Sequence, residues 1–203
     1  MTAARRPRLI LVAASVAAAA VLLSACGSQQ AGAAATLGDT RISERTLSSE
    51  VQAVLAAKGQ PTTSVDESLP PEMLRRLILI ELVDELAARE GVVVTQGQID
   101  EQLANYEAQA GDRAALESLF IEQGVAPSQI EAFVKLNVQA QEVGIALAPS
   151  GSAEEQGQAV SDAVIALSEE LDTTVSPRFG TWDPTSISVG PTPNDLSAPP
   201  ALG

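Results

Sequence analysis

Pro70-Pro-Glu-Met-Leu-Arg-Arg-Leu-Ile-Leu-Ile-Glu-Leu-Val-Asp-Glu-Leu-Ala-Ala-Arg-Glu-Gly91 decides the fold. Two prolines open the stretch, where the first amides of a helix have no intrahelical partner to lose. Glu72 follows in the first turn, where the helix dipole favours an acid. Gly91 ends it, as glycine does at helix C-termini. Between them Met73, Leu74, Leu77, Ile78, Leu79, Ile80, Leu82, Val83 and Leu86 are apolar around most of the circumference. A surface helix needs only one such stripe. The pattern predicts a central helix over 72–90, packed on several sides.

Toward the N-terminus, Ser43 with Glu44 in the first turn opens another helix. Leu47, Val51, Val54 and Leu55 share its face, and Lys58-Gly59 ends it. Before it, Thr36-Leu-Gly-Asp-Thr-Arg-Ile42 reads as a small hairpin turning at Gly38-Asp39. Two such strands do not stand alone, so a third must come from elsewhere. Residues 60–68 read as a polar loop.

Toward the C-terminus, Thr95 with Gln98 makes a capping box ahead of Ile99, Leu103, Tyr106 and Ala110. Asp112 caps a short helix whose apolar face is Leu116, Leu119 and Phe120. Pro127 opens a helix carrying Ile130, Phe133, Val134 and Val138. After Pro149-Ser-Gly-Ser152, a second capping box (Ser152 with Glu155) opens a helix with Val160, Val164, Leu167 and Leu171 in register. Thr173–Gly180 is the natural third strand, with Pro177 restricted to an edge or a strand end. Phe179 and Trp182 are expected to close the bottom of the core beside Leu37 and Ile42. Beyond Trp182 the chain is rich in Pro, Ser and Thr without periodicity, and reads as a disordered tail. The expected fold class is mainly α, with a small β-sheet formed by an N-terminal hairpin and a C-terminal strand. The expected segments are a signal peptide (1–25), a tether (26–33), a helical domain (34–182) and a dispensable tail (183–203).

The signal assignment rests on Arg5, Arg6 and Arg8, the apolar run from Leu9 to Leu23, and Leu23-Ser-Ala-Cys26-Gly. The run is about 15 residues, short of the ~20 that span hydrocarbon. Cys26 is the only cysteine. Its setting resembles the lipobox of bacterial lipoproteins, which implies that Cys26 is acylated and becomes the mature N-terminus. The expected location is the extracytoplasmic face of the plasma membrane, held through the lipid. With the thiol acylated, an ordinary core rather than a disulfide must hold the domain.

The chain has 12 basic and 26 acidic residues, a net charge of −14. Without the three signal arginines the net is −17. Such a surface does not bind phosphate backbones, so nucleic acid is not an expected partner. There is no histidine. This removes serine-histidine and cysteine-histidine catalysis and histidine-ligated metal. Neither Lys58 nor Lys135 has a serine three residues before it. No phosphate loop, dinucleotide fingerprint or calcium loop is present. Glu81, Asp84 and Glu85 read as solvated surface. The chain is expected not to be an enzyme and to carry no cofactor and no metal.

The order of elements resembles the SurA/PrsA family of exported chaperones and peptidyl-prolyl isomerases. The residues that carry the resemblance are Leu37–Ser43 running into the first helix, Leu74–Gly91 followed by Val94–Ile99, and Val175–Asp183. The isomerase members insert a parvulin module before the C-terminal helix, whereas here only Pro149–Ser152 joins the two parts. The resemblance therefore implies a SurA N-terminal-like chaperone domain without prolyl isomerase activity. Its partners would be unfolded or newly exported proteins, held on a shallow apolar surface. Met73, Leu77, Ile80, Tyr106, Phe120 and Phe133 are the candidate client contacts. The alternative is a non-enzymatic docking subunit for one folded envelope partner.

Overall fold

A computed structural model describes residues 32–64 and 66–193. Cys26, the signal segment and the tether up to residue 31 lie outside the described residues, as do residues 194–203. The expected tether is shortened from its other end: Ala33 is buried and already paired in the first strand, not linker.

The chain begins with β1 (Ala33–Leu37), turns at Gly38-Asp39 and returns as β2 (Thr40–Ser43). Gly38 has φ +54, a conformation that glycine tolerates best, and its amide donates to Leu171 O at 2.7 Å. Ser43 ends β2 and caps α1 (Glu44–Ala57), its hydroxyl accepting from Thr46 N. The central helix α2 (Leu69–Arg89) starts three residues earlier than the prolines alone imply. Pro70 and Pro71 occupy its first turn, where their missing amides cost nothing. Just before it, Asp66 accepts from the Ser68 hydroxyl and amide, and these bonds hold its carboxyl below the usual range.

Next come α3 (Gln96–Ala110), α4 (Arg113–Glu122), a 3₁₀ turn at Pro127–Gln129, α5 (Ile130–Leu147) and α6 (Ala153–Glu170). Both predicted capping boxes form, at Thr95/Gln98 and Ser152/Glu155, and Asp112 caps α4 through Ala115 N at 2.8 Å. The chain between α5 and α6 is only a turn. It lets the helices approach closely: a Cβ on Gly144 would lie 3.1 Å from Gln156 O.

The third strand, β3 (Thr174–Val175), pairs antiparallel with β1 and gives the order β2-β1-β3. It is shorter than the expected 173–180. Pro177 has no amide to donate, so the ladder stops; the last bond runs from Ser176 N to Ala34 O. The Thr36 and Thr174 hydroxyls lie 2.8 Å apart across this pairing.

The expected tail is corrected by the structure. Residues 183–203 do not begin as a disordered segment, because β4 (Thr181–Asp183) pairs antiparallel with β5 (Ser188–Gly190). Asp183 makes the turn: its carboxylate accepts from the Thr185 amide and hydroxyl and from the Ser186 hydroxyl, which lowers its pKa. The hairpin lays Ile187 and Val189 on the main core, with β5 against α2. Trp182 is buried in that core with Leu37 and Ile42, its indole donating to Ser168 Oγ at 2.7 Å. Phe179 is half-buried against the same cluster.

Two apolar clusters result. The main one gathers the inner faces of β1, α1, α2 and α6 with Leu136 and Val143 of α5. Leu74, Ile78 and Leu82, fully buried, run through it along α2. The second lies between α3, α4 and α5 and contains Ile99, Leu116, Phe120, Ile130, Val134 and Val138. The four-residue spacing of Ile130, Val134 and Val138 puts them on one face of α5, and Leu136 and Val143 on another. α5 is thus the shared wall between the two clusters.

Candidate functional site

The second cluster is not closed on its outer side. Tyr106 from α3, Phe120 from α4 and Phe133 from α5 meet edge to face there. Their ring centroids are 6.4 Å apart for Tyr106–Phe120 and 5.4 Å for Phe120–Phe133. Such T-shaped pairs stabilise by about 0.5–1.5 kcal/mol beyond their buried area. Around them opens a cleft of about 300 Å³, with Ala110, Leu116 and Leu119 as further apolar walls. Leu119 belongs to the same face as Leu116 and Phe120 and was expected to point into the core. Instead it is 47% exposed at the rim of the cleft.

Gln123 and Phe133 also line a second cavity, of about 390 Å³, between α2 and the α4–α5 connection. Its apolar lining includes Leu69, Met73, Val125 and Leu136, and Lys58, Arg75 and Arg76 bring charge to it. Arg76 donates to the carbonyls of Gly124 (2.8 Å) and Gln123 (3.3 Å), two of the acceptors left over where α4 ends. Its guanidinium lies 5.8 Å from the Phe133 ring centroid, within cation–π range. Burial pushes the Arg76 pKa down, with Arg75 next to it adding to the effect. A guanidinium stays charged at neutral pH regardless. Arg76 therefore clamps the end of α4 to α2. We expect Arg76→Ala to lose about 1.5–3 kcal/mol of stability, lowering Tm by about 3–12 °C. Thermal melting followed by circular dichroism checks this, and an unchanged Tm refutes the clamp.

A third cavity, of about 690 Å³, lies between α1, the loop before α2 and the C-terminal hairpin. Val51, Phe179, Pro70, Pro71 and Pro191 give it apolar walls beside Ser64, Asp66, Glu67 and Thr192, and Arg178, which also lines it, is paired with Glu44 at 2.8 Å. Phe179 supplies one aromatic ring to it, with the Arg178 guanidinium 5.4 Å from the ring centroid, but no second ring meets it there.

The sequence candidates divide accordingly. Tyr106, Phe120 and Phe133 come together in the cleft, Phe120 with 6% of its surface exposed and the other two half-buried. Met73, 3% exposed, lies beneath the second cavity. Leu77 and Ile80 are half-buried against the main core and line neither cavity. Cys26 lies outside the described residues. Leu119, Lys58, Arg75, Arg76 and Gln123 were not singled out from the sequence. Leu119 read as part of an apolar helix face, and Lys58 as part of a helix end.

Among the described residues no group of three His, Cys, Asp or Glu side chains is placed to hold a metal ion, and no helix is long and apolar enough to cross a membrane. Glu81 is pushed above the ordinary carboxylate range, first by partial burial and then by Asp84, against the pull of Lys135. Asp84 is itself bonded to Lys135 at 2.8 Å, and neither acid lines the cavities described above. Comparison with family models, curated proteins and solved structures finds no match to this chain.

Proposed function

We propose that this domain is a membrane-tethered extracytoplasmic chaperone of SurA/PrsA type. It holds unfolded or newly exported polypeptides and does not catalyse prolyl isomerisation. The observation that carries the reading is the aromatic cleft of Tyr106, Phe120 and Phe133 with Leu119 exposed at its edge. Apolar surface of this kind binds side chains without demanding a fixed polar pattern. That is what a holder of varied clients needs. The cleft is small and has few aromatic anchors, so affinity for any one client is modest. At a net charge of −17, neutral and basic clients are preferred, and added salt narrows the preference.

The test is light scattering of a denatured client, with and without the domain, beside a proline-limited refolding assay. Protection without accelerated refolding is expected. Leu119→Ser changes an exposed residue, so its folding cost is small. It should weaken protection several-fold, while Val93→Ser, at a residue 81% exposed and outside the cleft, leaves it unchanged. Catalysed isomerisation overturns the negative half of the proposal. Absence of protection for several clients, together with capture of one folded envelope protein, moves the assignment to a docking subunit.

A further inference from the structure

α4 supplies Leu116, Leu119 and Phe120 to the aromatic cleft, yet it is lightly fastened. Only Leu116 and Phe120 of its ten residues are buried, against eight of 21 in α2 and seven of 18 in α5. α3 buries Ile99 alone, but its Gln96 bonds Glu131 of α5 at 3.1 Å. Among the described residues, one side-chain hydrogen bond joins residues 113–122 to another element: Arg113 Nη1 donates to Glu107 of α3 at 2.8 Å. Arg113 Nε donates within α4, to Glu117, also at 2.8 Å. All three side chains are partly exposed, and ion pairs in that setting contribute little. Glycines flank the helix, Gly111 at φ +106 and Gly124 at φ +73. Glycines at element ends absorb the backbone rotations of a hinge. Arg76 holds the far end through the Gln123 and Gly124 carbonyls, so the helix can turn but not leave. A segment with few buried contacts opens at lower cost than the whole domain.

Phe120 gives that turn a consequence. Its ring meets both Tyr106 and Phe133, at 6.4 and 5.4 Å between centroids. It therefore occupies the position from which an incoming apolar side chain would touch both rings. We infer that α4 is a hinged wall of the cleft and Phe120 its placeholder: α4 turns about Gly111 and Gly124, Phe120 withdraws from Tyr106 and Phe133, and an apolar side chain of the bound polypeptide takes its place. Arg113 is the clasp that favours the closed arrangement. The inference rests on the polypeptide-holding reading above and adds a conformational step to it. Burial of the incoming side chain offsets part of the cost of exposing Phe120. A wall that turns also lets side chains of different size enter a cleft of about 300 Å³. Apparent affinity scales with the fraction of molecules that are open, so whatever raises that fraction tightens binding by the same factor.

Hydrogen exchange read by mass spectrometry, beside fluorescence anisotropy of an N-terminally labelled Ala-Leu-Val-Leu-Phe amide, tests this on the mature domain. Amides of residues 114–122 should exchange faster than those of α2 and α5, and faster still with the peptide bound. Arg113→Gln should speed α4 exchange about two- to five-fold, leave α2 exchange unchanged, and tighten the peptide by the same factor. Phe120→Ala removes the placeholder and should also tighten it, whereas a fixed wall would lose a contact and bind more weakly. Phe120 is buried, so Arg113→Gln, at an exposed residue, carries the test if Phe120→Ala melts early. Slower α4 exchange in the bound state, with Arg113→Gln leaving peptide affinity unchanged, makes α4 a fixed wall and overturns the inference while leaving polypeptide holding intact. No binding of the peptide by any variant, with no protection from aggregation, overturns both readings.

Discussion

A chain ending at Asp183 is expected to melt about 10 °C below one ending at Pro193, which retains the whole β4–β5 hairpin. The cut removes Ile187 and Val189 from the main core and takes away the strand that covers Trp182, paired directly with Val189. Burial of an aliphatic side chain stabilises by about 1.5–3 kcal/mol, somewhat less when it is partial. Two such residues plus an uncovered tryptophan amount to several kcal/mol, against a total stability of about 5–15 kcal/mol for a typical domain. A cut at Leu171 removes β3 as well and should leave no cooperative transition. A single substitution probes the same element with the chain length unchanged. Gly180 has φ +133, and a Cβ there would lie 2.2 Å from Gly190 O, so Gly180→Ala should part β4 from β5. Thermal melts by circular dichroism and tryptophan fluorescence report both changes, Trp182 being the only tryptophan. Coincident melting of the chains ending at Asp183 and Pro193 removes any structural role for the hairpin.

The second large effect is on location. Cys26→Ala should block lipid addition and leave an unprocessed precursor. The thiol is the only attachment point offered by Leu23-Ser-Ala-Cys26. One acyl chain holds a protein only marginally, whereas the two or more implied by lipobox chemistry hold it firmly. The fold starts at Ala33, seven residues on, so acylation of Cys26 would hold the domain within at most about 25 Å of the membrane surface. Fractionation and intact-mass analysis decide the matter. A membrane-extracted protein whose Cys26 thiol is unmodified ends the lipoprotein reading.

The helices were legible because their signals are local. Thr95/Gln98, Asp112 and Ser152/Glu155 announce helix starts through bonds that close within three residues. The sheet was legible by deficit: the hairpin at Gly38-Asp39 lacks a partner, and Thr174–Val175 supplies it. The second hairpin was hidden by composition. Its strands are three residues long, and Pro184, Thr185, Ser186 and Ser188 resemble linker. The available signal was Asp183-Pro184, a turn-forming pair, with Trp182, Ile187 and Val189 as the apolar residues around it. The aromatic residues of the cleft were nameable one by one, but their meeting depends on how α4 leans on α5. The second cavity was less legible still, because Lys58, Arg76 and Gln123 belong to separate parts of the chain. The role of Leu119 depended on its place at the rim of the cleft, which no periodicity encodes.

The place of β1 in the sheet has a kinetic consequence. Its partners are β2, next in the chain, and β3, with the Thr36–Thr174 hydroxyl contact spanning 138 positions. The helices form from local contacts, but the sheet cannot close until β3 has been synthesised. At about 5–20 residues per second those 138 positions take roughly 7–28 s. Throughout that time the apolar edge of β1 and the face of α2 await their cover. Contacts of such long range slow folding relative to other helical domains of this size. The nascent chain is thus itself, for those seconds, an unfolded polypeptide with exposed apolar surface.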